Sequence, residues 1–423
     1  MKLQQYDGYQ YTDGGVCAAQ GFTANGIQCG LAHKAIGNED APKKNNKKND
    51  LALIFSDSKC AAAAVYTTNK VKGAPIAVTR QHISDGIAQA VIVNSVNANT
   101  CNADGELKAN MMCSFAANAL SIDENDVIVA STGVIGQPLP IEPIEAGVPE
   151  LAAGLSHSGN KAALEAIMTT DTQPKEIAVS FMIGDKKCTI GGMLKGSGMI
   201  HPNMATTLTF ITTDAAITPQ MLQKALSEHV VTTLNRVSVD GDTSTNDMVC
   251  ILANAKACND IISSENDDYS VFSKALFIIM RNLAKMMARD GEGATKLIEC
   301  SCTGAQDEKT AETVAKSVIT SSLFKAAMFG EDANWGRILC AVGYAQADFD
   351  ISCVDVDLSS ENGKIEVCRN GAGIDFSEDQ AKKVLQAEEI RVEISIGSDS
   401  ASATCWGCDL TYDYVKINGD YRS

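Results

Sequence analysis

The apolar residues of this chain change their period along its length, and that change limits the folds open to it. Short apolar runs at 51–56, 60–66, 89–94 and 127–130 have the length of strands, and 21–27 looks like a strand entry. Elsewhere the period is 3.6. Phe272, Leu276, Ile279, Met280, Leu283, Met286 and Met287 make one stripe, which predicts a helix over 272–290 that stops at Gly291-Glu292-Gly293. Thr218-Pro219 supplies an N-cap and an N1 proline for a helix to about Thr233. A third helix is expected over 312–329, and Ser377 with Gln380 reads as a capping box for a fourth, to about Glu388. Residues 390–396 alternate as a half-exposed strand. Strands and helices are mixed without alternating one for one. The expected class is therefore α/β or α+β, and not a simple doubly wound parallel sheet. No repeat and no linker divides the chain.

A length of 423 residues with 45% hydrophobic content allows two or three domains, or one large intertwined unit. The formal charge of −17 argues against a nucleic-acid partner and suits small, cationic substrates. No apolar run approaches the roughly 18–20 residues that span a bilayer. The opening Met1-Lys2-Leu3-Gln4-Gln5-Tyr6-Asp7 has no apolar core of a leader, so a cytoplasmic protein without membrane contact is expected. Residues 43–50, rich in lysine and asparagine, are expected to form an exposed loop. Fifteen scattered cysteines read as small buried hydrophobes. Cys405-Trp406-Gly407-Cys408 has no second CxxC to complete a zinc set, and Cys300 and Cys302 fit alternate positions of a strand.

Near the midpoint, Lys195-Gly196-Ser197-Gly198-Met199-Ile200-His201-Pro202-Asn203-Met204-Ala205-Thr206 leads glycines and a proline into an apolar run over 206–213. It is not a phosphate loop, because Lys195 precedes its glycine. Gly291-Glu292-Gly293-Ala294-Thr295-Lys296 follows a helix and lacks the third glycine of a dinucleotide fingerprint. The five histidines show no zinc-ligand spacing, His201 reads as a structural or surface histidine, and no G-x-S-x-G elbow is present. Two readings of Thr206 remain: the start of a strand, or a nucleophile. A threonine hydroxyl needs a base, and an N-terminal threonine carries one in its α-amine, which titrates at about 7.7–8.0. Creating that terminus requires the Thr206 hydroxyl to attack the Ala205 carbonyl, a shift of the peptide to an ester, and hydrolysis. The 127–130 strand opens into Ser131-Thr132-Gly133-Val134-Ile135-Gly136. A hydroxyl and amides at a strand end can bind an oxyanion, or can form an ordinary glycine turn. Asn94, Asn97 and Asn99 mark another turn.

The 195–206 stretch resembles the signature of the ornithine acetyltransferase (glutamate N-acetyltransferase) family of arginine biosynthesis. So do Tyr66-Thr67-Thr68-Asn69-Lys70-Val71, Ser131-Thr132-Gly133-Val134-Ile135-Gly136 and Ile167-Met168-Thr169-Thr170-Asp171-Thr172. Val239-Asp240-Gly241-Asp242-Thr243-Ser244-Thr245-Asn246-Asp247, the 291–296 and Asn334-Trp335-Gly336-Arg337-Ile338 motifs, and residues 413–423 follow in order. The resemblance covers nearly the whole chain. It implies an α/β fold, a layered αββα-like sandwich of two intertwined chains, residues 1–205 and 206–423, produced by self-cleavage between Ala205 and Thr206. It implies that Thr206 then carries acetyl from N-acetylornithine to glutamate in a ping-pong reaction, with Thr132 and Gly133 as the oxyanion hole. Thr169, Lys195, Thr206, Glu292, Asn418 and Ser423 would line the substrate pocket; Thr170 and Thr172 offer the same group beside Thr169. Lys195 would face the substrate α-carboxylate and Glu292 the cationic end of ornithine. Ser423 would bring the terminal carboxylate.

No metal or organic cofactor is implied. Family members come in two forms, one of which also accepts acetyl-CoA, and no CoA motif separates them here. An α2β2 or larger assembly is expected. Val96 stands where the family has a glycine, Thr100 where it has a small apolar residue, and Thr207 where methionine is common. Competing readings are an N-terminal-nucleophile amidohydrolase or aminopeptidase of related architecture, and a non-catalytic binding protein.

Overall fold

The computed structural model describes residues 3–31, 48–201 and 207–420. In chain order it begins with β1 (Gln10–Thr12), β2 (Phe22–Ile27), β3 (Leu51–Tyr66), α1 (Ala74–His82), β4 (Ile87–Asn94), α2 (Gly105–Leu120) and β5 (Val127–Ser131). Next come α3 (Glu142–Ala153), α4 (Asn160–Ile167), β6 (Lys175–Ile183) and β7 (Lys186–Lys195). Beyond residue 206 lie β8 (Leu208–Thr213), α5 (Pro219–Thr232), β9 (Val237–Ser238), β10 (Met248–Ala253), α6 (Asp267–Arg289), β11 (Leu297–Ala305) and α7 (Glu308–Thr320). They continue as α8 (Ser322–Phe329), α9 (Trp335–Gly343), β12 (Asp355–Ser360), β13 (Gly363–Arg369) and β14 (Ala372–Gly373). The last are α10 (Glu378–Leu385), β15 (Glu389–Ser395), β16 (Ala401–Cys408) and α11 (Tyr412–Asp420). The mixed α/β class expected from the periodicity is what the chain adopts.

The described strands form two sheets. The first runs β1-β6-β7-β8-β10-β3-β4-β5, with β2 also on β3; the second runs β14-β13-β12-β15-β11-β16-β9. The two runs at 51–56 and 60–66 are one strand, β3, whose register with β4 shifts between Phe55 and Cys60. Its side chains sort by parity. Leu51 and Leu53 share a core with α2, α3 and the outer face of β4 and β5. Ala63 and Val65 share another with α5 and α6. Ala52, Ile54, Ala62 and Ala64 lie in a third, with Val91, Val93, Ile128 and Ala130 on one side and Phe210, Met248 and Cys250 on the other. The first sheet therefore carries one core on a single face across both of its halves, and α4 enters that core through Ala163, Leu164, Ala166 and Ile167. Alternation along a strand is what lets one element serve two cores. Strand β8, from beyond residue 206, is inserted between β7 and β10.

Several local expectations hold and others are corrected. Thr218 caps α5 through Met221 N–H, with Pro219 at its start. Helix α6 begins five residues earlier than the stripe, because Asn266 caps it through Tyr269 N–H. The single helix expected over 312–329 is two. Ser321 leaves the helical region (φ −70°, ψ 111°) and its hydroxyl accepts from Phe324 N–H, starting α8 afresh. Hydroxyl side chains compete in this way with continued helix. The Ser377 capping box is half formed: Ser377 accepts from Gln380 N–H, but the Gln380 amide donates to Lys364 O, and α10 ends at Leu385. Strand β15 buries Ile390, Val392 and Ile394, as its alternation requires. Of the predicted 43–50 loop, 43–47 lie outside the described residues. Asp50 is buried, not exposed, and accepts from the N–H groups of Cys29, Gly30 and Leu31.

All fifteen cysteines are free thiols. Cys405 packs in the core under the second sheet and Cys408 in the core around α6, on opposite faces of β16, so the CxxC does not form a pair. Burial pushes their thiols up to about 12 and about 11. Among the described residues no helix is long and apolar enough to cross a membrane.

Phe272, fully buried where α6 meets the first sheet, tests this packing. Phe272→Ala is expected to lower the stability by about 3–5 kcal/mol, read as a shift in the denaturant midpoint.

Candidate active site

Strand β7 ends at Lys195, opposite Leu208 at the start of β8, and β10 begins beside Leu208 at Met248. Thr207 is buried, and its carbonyl accepts from Met248 N–H at 2.8 Å. Strand β5 delivers Thr132 and Gly133 to the same place. These ends surround a cavity of about 290 Å³ lined by Thr132, Gly133, Thr169, Thr170, Lys195, Gly198, Ser244, Thr245, Asn246, Glu292 and Asn418, among others. A larger hollow of about 550 Å³ between α2 and α3, lined by Phe115, Leu120, Val148 and Pro149, brings no nucleophile together. Chemistry, not size, selects the first.

The oxyanion-type turn is built on the asparagine-rich segment. Asn94 Oδ1 accepts from the N–H groups of Val96 and Asn97, and Asn97 Oδ1 from that of Asn99. The left-handed residues here are Asn99 (φ 50°) and Cys101 (φ 62°), and Val96 is not among them, so the valine brings no strain. The Val96 carbonyl instead accepts from Val134 N–H, and Gly133 (φ 124°) crosses so close that a Cβ would stand 2.2 Å from that oxygen. Only glycine fits. Thr132 N–H is used by Asn94 O, whereas Gly133 N–H has no partner among the described residues. Thr132 Oγ1 accepts from Lys195 Nζ at 3.3 Å, which leaves its own proton available.

A buried ionic cluster fixes the opposite wall. Lys175 Nζ lies 2.7 Å from Asp171 Oδ1 and 2.5 Å from Asp290 Oδ2, with all three side chains at most 5% exposed. Asp171 also accepts from Gly196 N–H and Thr169 N–H. Asp290 accepts from Thr172 through both amide and hydroxyl, so Thr172 is engaged while Thr169 and Thr170 line the cavity. Ser197 Oγ donates to Asp290 O, and Glu292 N–H to Ser197 O. Burial alone would raise the Asp171 carboxyl, but the Lys175 and Lys195 ammoniums and its hydrogen bonds outweigh that and hold it well below the usual range.

Lys195 keeps some surface open to the cavity, yet its ammonium is enclosed enough for burial to pull its pKa down, against the upward pull of Asp171, Asp247 and Glu292. It forms no ion pair among the described residues. Glu292, 9% exposed, accepts from Asn418 Nδ2 at 2.7 Å and faces no cation there. Gly198 passes so close that a Cβ would lie 2.3 Å from the Glu292 carboxyl. Among the described residues the cavity thus presents one unpaired cation and one unpaired anion, complementary to an amino acid with a charged side chain.

The sequence-derived residues Thr132, Gly133, Thr169, Lys195, Glu292 and Asn418 all meet at this cavity. Ala205, Thr206 and Ser423 lie outside the described residues. His201 does not line it; its ring bonds Ser238 Oγ, and burial lowers its pKa. The Thr207 hydroxyl pairs with Thr209. Ser244, Thr245 and Asn246 were missed as individual site residues, although they stand inside a motif that was noted. The Asp171–Lys175–Asp290 cluster had no signal beyond a lone i,i+4 charge pair. Among the described residues no cluster of His, Cys, Asp and Glu could hold a metal ion.

Fold and cavity together define an α/β protein with an amino-acid-sized polar site at the meeting of several strand ends. The chain belongs to the ArgJ family, whose model matches residues 35–423. "Arginine biosynthesis bifunctional protein ArgJ 1" of Clostridium acetobutylicum is 52% identical over 391 residues, 92% of this chain and 96% of the relative. The solved ArgJ bifunctional protein of Bacillus halodurans is 44% identical, with 50% of this chain and 98% of that one covered and a TM-score of 0.48. A structure described as ornithine acetyltransferase complexed with ornithine, from Mycobacterium tuberculosis, is 36% identical over 47% of this chain and 100% of that one, TM-score 0.41.

Removing the ammonium from the buried cluster leaves two carboxylates facing each other. Lys175→Ala is expected to cost about 3–5 kcal/mol in chemical denaturation.

Proposed function

We propose that the chain is an autoprocessed acetyltransferase of arginine biosynthesis that moves acetyl from N2-acetyl-L-ornithine to L-glutamate. The observation that carries this is the convergence of Thr132, Gly133, Thr169, Lys195, Glu292 and Asn418 on one cavity beside the start of β8, two residues after Thr206. Membership of the ArgJ family supports transfer over an aminopeptidase or a non-catalytic role, and the Clostridium acetobutylicum relative is named for arginine biosynthesis.

On this reading the chain cuts itself between Ala205 and Thr206, and the α-amine of Thr206 serves as the base. That amine takes the proton of its own hydroxyl as Oγ1 attacks the acetyl carbonyl of N-acetylornithine. Thr132 O–H and Gly133 N–H donate to the oxyanion. The intermediate collapses, the C–N bond breaks, the ammonium of Thr206 returns its proton to the departing amine, and ornithine leaves. The neutral amine of glutamate then attacks acetyl-Thr206, loses a proton to the same α-amine, and departs as N-acetylglutamate with the Thr206 hydroxyl restored. Lys195 pairs with the α-carboxylate common to both substrates, and Glu292 with the ornithine side-chain ammonium. Asn418, Thr169 and the terminal Ser423 complete the pocket.

These groups need no metal or organic cofactor. The relatives are named bifunctional, and acetyl-CoA is the second donor we propose. The cut would leave β8 and β10 of the second fragment interleaved with strands of the first. That arrangement suits a sandwich of two intertwined chains, which we place in an α2β2 assembly in the cytoplasm.

Wild-type protein is expected to run as two fragments on a denaturing gel, and Thr206→Ala as one uncut band without transfer. Labelled acetyl should appear on glutamate from acetylornithine and from acetyl-CoA; label released only as acetate would sink the reading in favour of hydrolysis.

Lys195 gives a signed pH dependence. A lysine is charged below its pKa, and this one is depressed by burial. KM for acetylornithine is therefore expected to rise with pH before the ordinary lysine range is reached, as the ammonium that holds the carboxylate is lost. A KM that stays flat up to that range counts against the assignment.

A further inference from the structure

We propose that Asn246 is a positioning residue that sets the oxyanion donors Thr132 and Gly133 relative to the nucleophile-bearing strand. The proposal rests on the acetyltransferase reading of the cavity. Asn246 is buried at 6% exposure, and its amide is saturated. Nδ2 donates to Ala98 O at 2.6 Å and to Ser131 O at 2.9 Å. Oδ1 accepts from Thr100 Oγ1 and Thr245 Oγ1, each at 2.6 Å. Two carbonyls on one end and two hydroxyls on the other fix which end is which, because carbonyls cannot donate.

These partners hold the oxyanion turn from both sides. Ser131 immediately precedes Thr132. Ala98 N–H donates to Val134 O, and Gly136 N–H to Thr100 O, so the chain just after Gly133 is pinned to the segment that Asn246 grips. Two residues further on, Met248 N–H donates to Thr207 O, next to the proposed nucleophile. The three residues 246–248 thus form a short covalent ruler between the attacking hydroxyl and the groups that receive the oxyanion. The ruler also spans the proposed cut, since Ser131 belongs to the first fragment and Asn246 to the second. Gly73 leaves no slack, because a Cβ there would stand 2.4 Å from Nδ2. Thr100 supplies one of the four bonds.

The test compares purified wild-type, Asn246→Asp, Thr100→Val and Thr100→Ser proteins, with melting temperature and circular dichroism reporting the fold. Asn246→Asp keeps the shape but turns a donor into a carboxylate oxygen facing two carbonyls. Folded protein should lose roughly 100-fold in kcat at a KM within about threefold of wild type, since about 1 Å of misplacement suffices. It should also generate the two fragments more slowly, because attack of Thr206 Oγ1 on the Ala205 carbonyl passes through an oxyanion that the same donors would stabilise. Thr100→Val should lose roughly three- to tenfold in kcat, the worth of one hydrogen bond, and Thr100→Ser should restore it.

If wild type transfers no acetyl, the reading of the cavity fails, whatever Asn246 does. With active wild type, a folded Asn246→Asp protein with kcat within twofold, or with only KM raised, overturns the positioning role. If Asn246→Asp does not fold, the threonine pair decides. A Thr100→Val protein indistinguishable from wild type, or a loss that serine does not restore, overturns it equally.

Discussion

The site depends on the Asp171–Lys175–Asp290 cluster. Removing one ammonium and two carboxylates from water costs about several kcal/mol per ion, and only good geometry with further hydrogen bonds offsets it. Here each carboxylate accepts more than the lysine: Asp171 takes the amides of Thr169 and Gly196, and Asp290 takes the amide and hydroxyl of Thr172. Those extra bonds tie three stretches distant in sequence, 169–175, 195–197 and 290–292, into one wall. The same bonds that make the buried charges tolerable therefore place Thr169, Lys195 and Glu292. Lys175 is the first residue of β6 and Asp290 follows the last of α6, so the wall is an extension of rigid elements and not a free loop.

The opposite wall has a different physics. Among the described residues it holds no buried ion pair, and it is made of backbone amides, asparagine side chains and threonine hydroxyls around Gly133. Close approach of backbone to backbone, as at Gly133 over Val96, is what a glycine permits. The two walls meet because β3 joins the two halves of the first sheet, with β4 and β5 on one side of it and β10, β8 and β7 on the other. One long strand presents alternate side chains to one core on one face and to two on the other, so the β4–β5 half and the β7–β8–β10 half cannot slide independently without exposing aliphatic side chains. The turn after β5 and the ends of β7 and β8 are thereby held together.

Much of this was legible in the sequence where the signal was local. Thr218-Pro219, the α6 stripe, the alternation of β15 and the strand into Thr132-Gly133 each act within a turn or two of chain, and each appears in the structure. Expectations failed where a distant partner intervened or a local competitor was overlooked. Gln380 prefers Lys364 O to completing its capping box, and Asp50 is drawn inside by three amides of residues 29–31. Ser321 breaks what looked like one helix by capping the next. Val96 stays outside the left-handed region, which Asn99 and Cys101 occupy instead.

The sequence by itself determined the mixed α/β class, the family, and the candidates Thr132, Gly133, Thr169, Lys195, Glu292 and Asn418 among the cavity residues, because these rest on residue types and on motifs read in order along the chain. Tertiary structure alone decided that β3 is one strand serving three cores, that β8 enters between β7 and β10, and that Asn246 grips the turn at Ser131. It alone decided that Lys195 and Glu292 face the same cavity without ion-pair partners among the described residues. The reason is range. Periodicity and capping are set by neighbours a few residues away, whereas burial, charge pairing and saturation of an amide depend on groups brought together from tens to hundreds of positions apart.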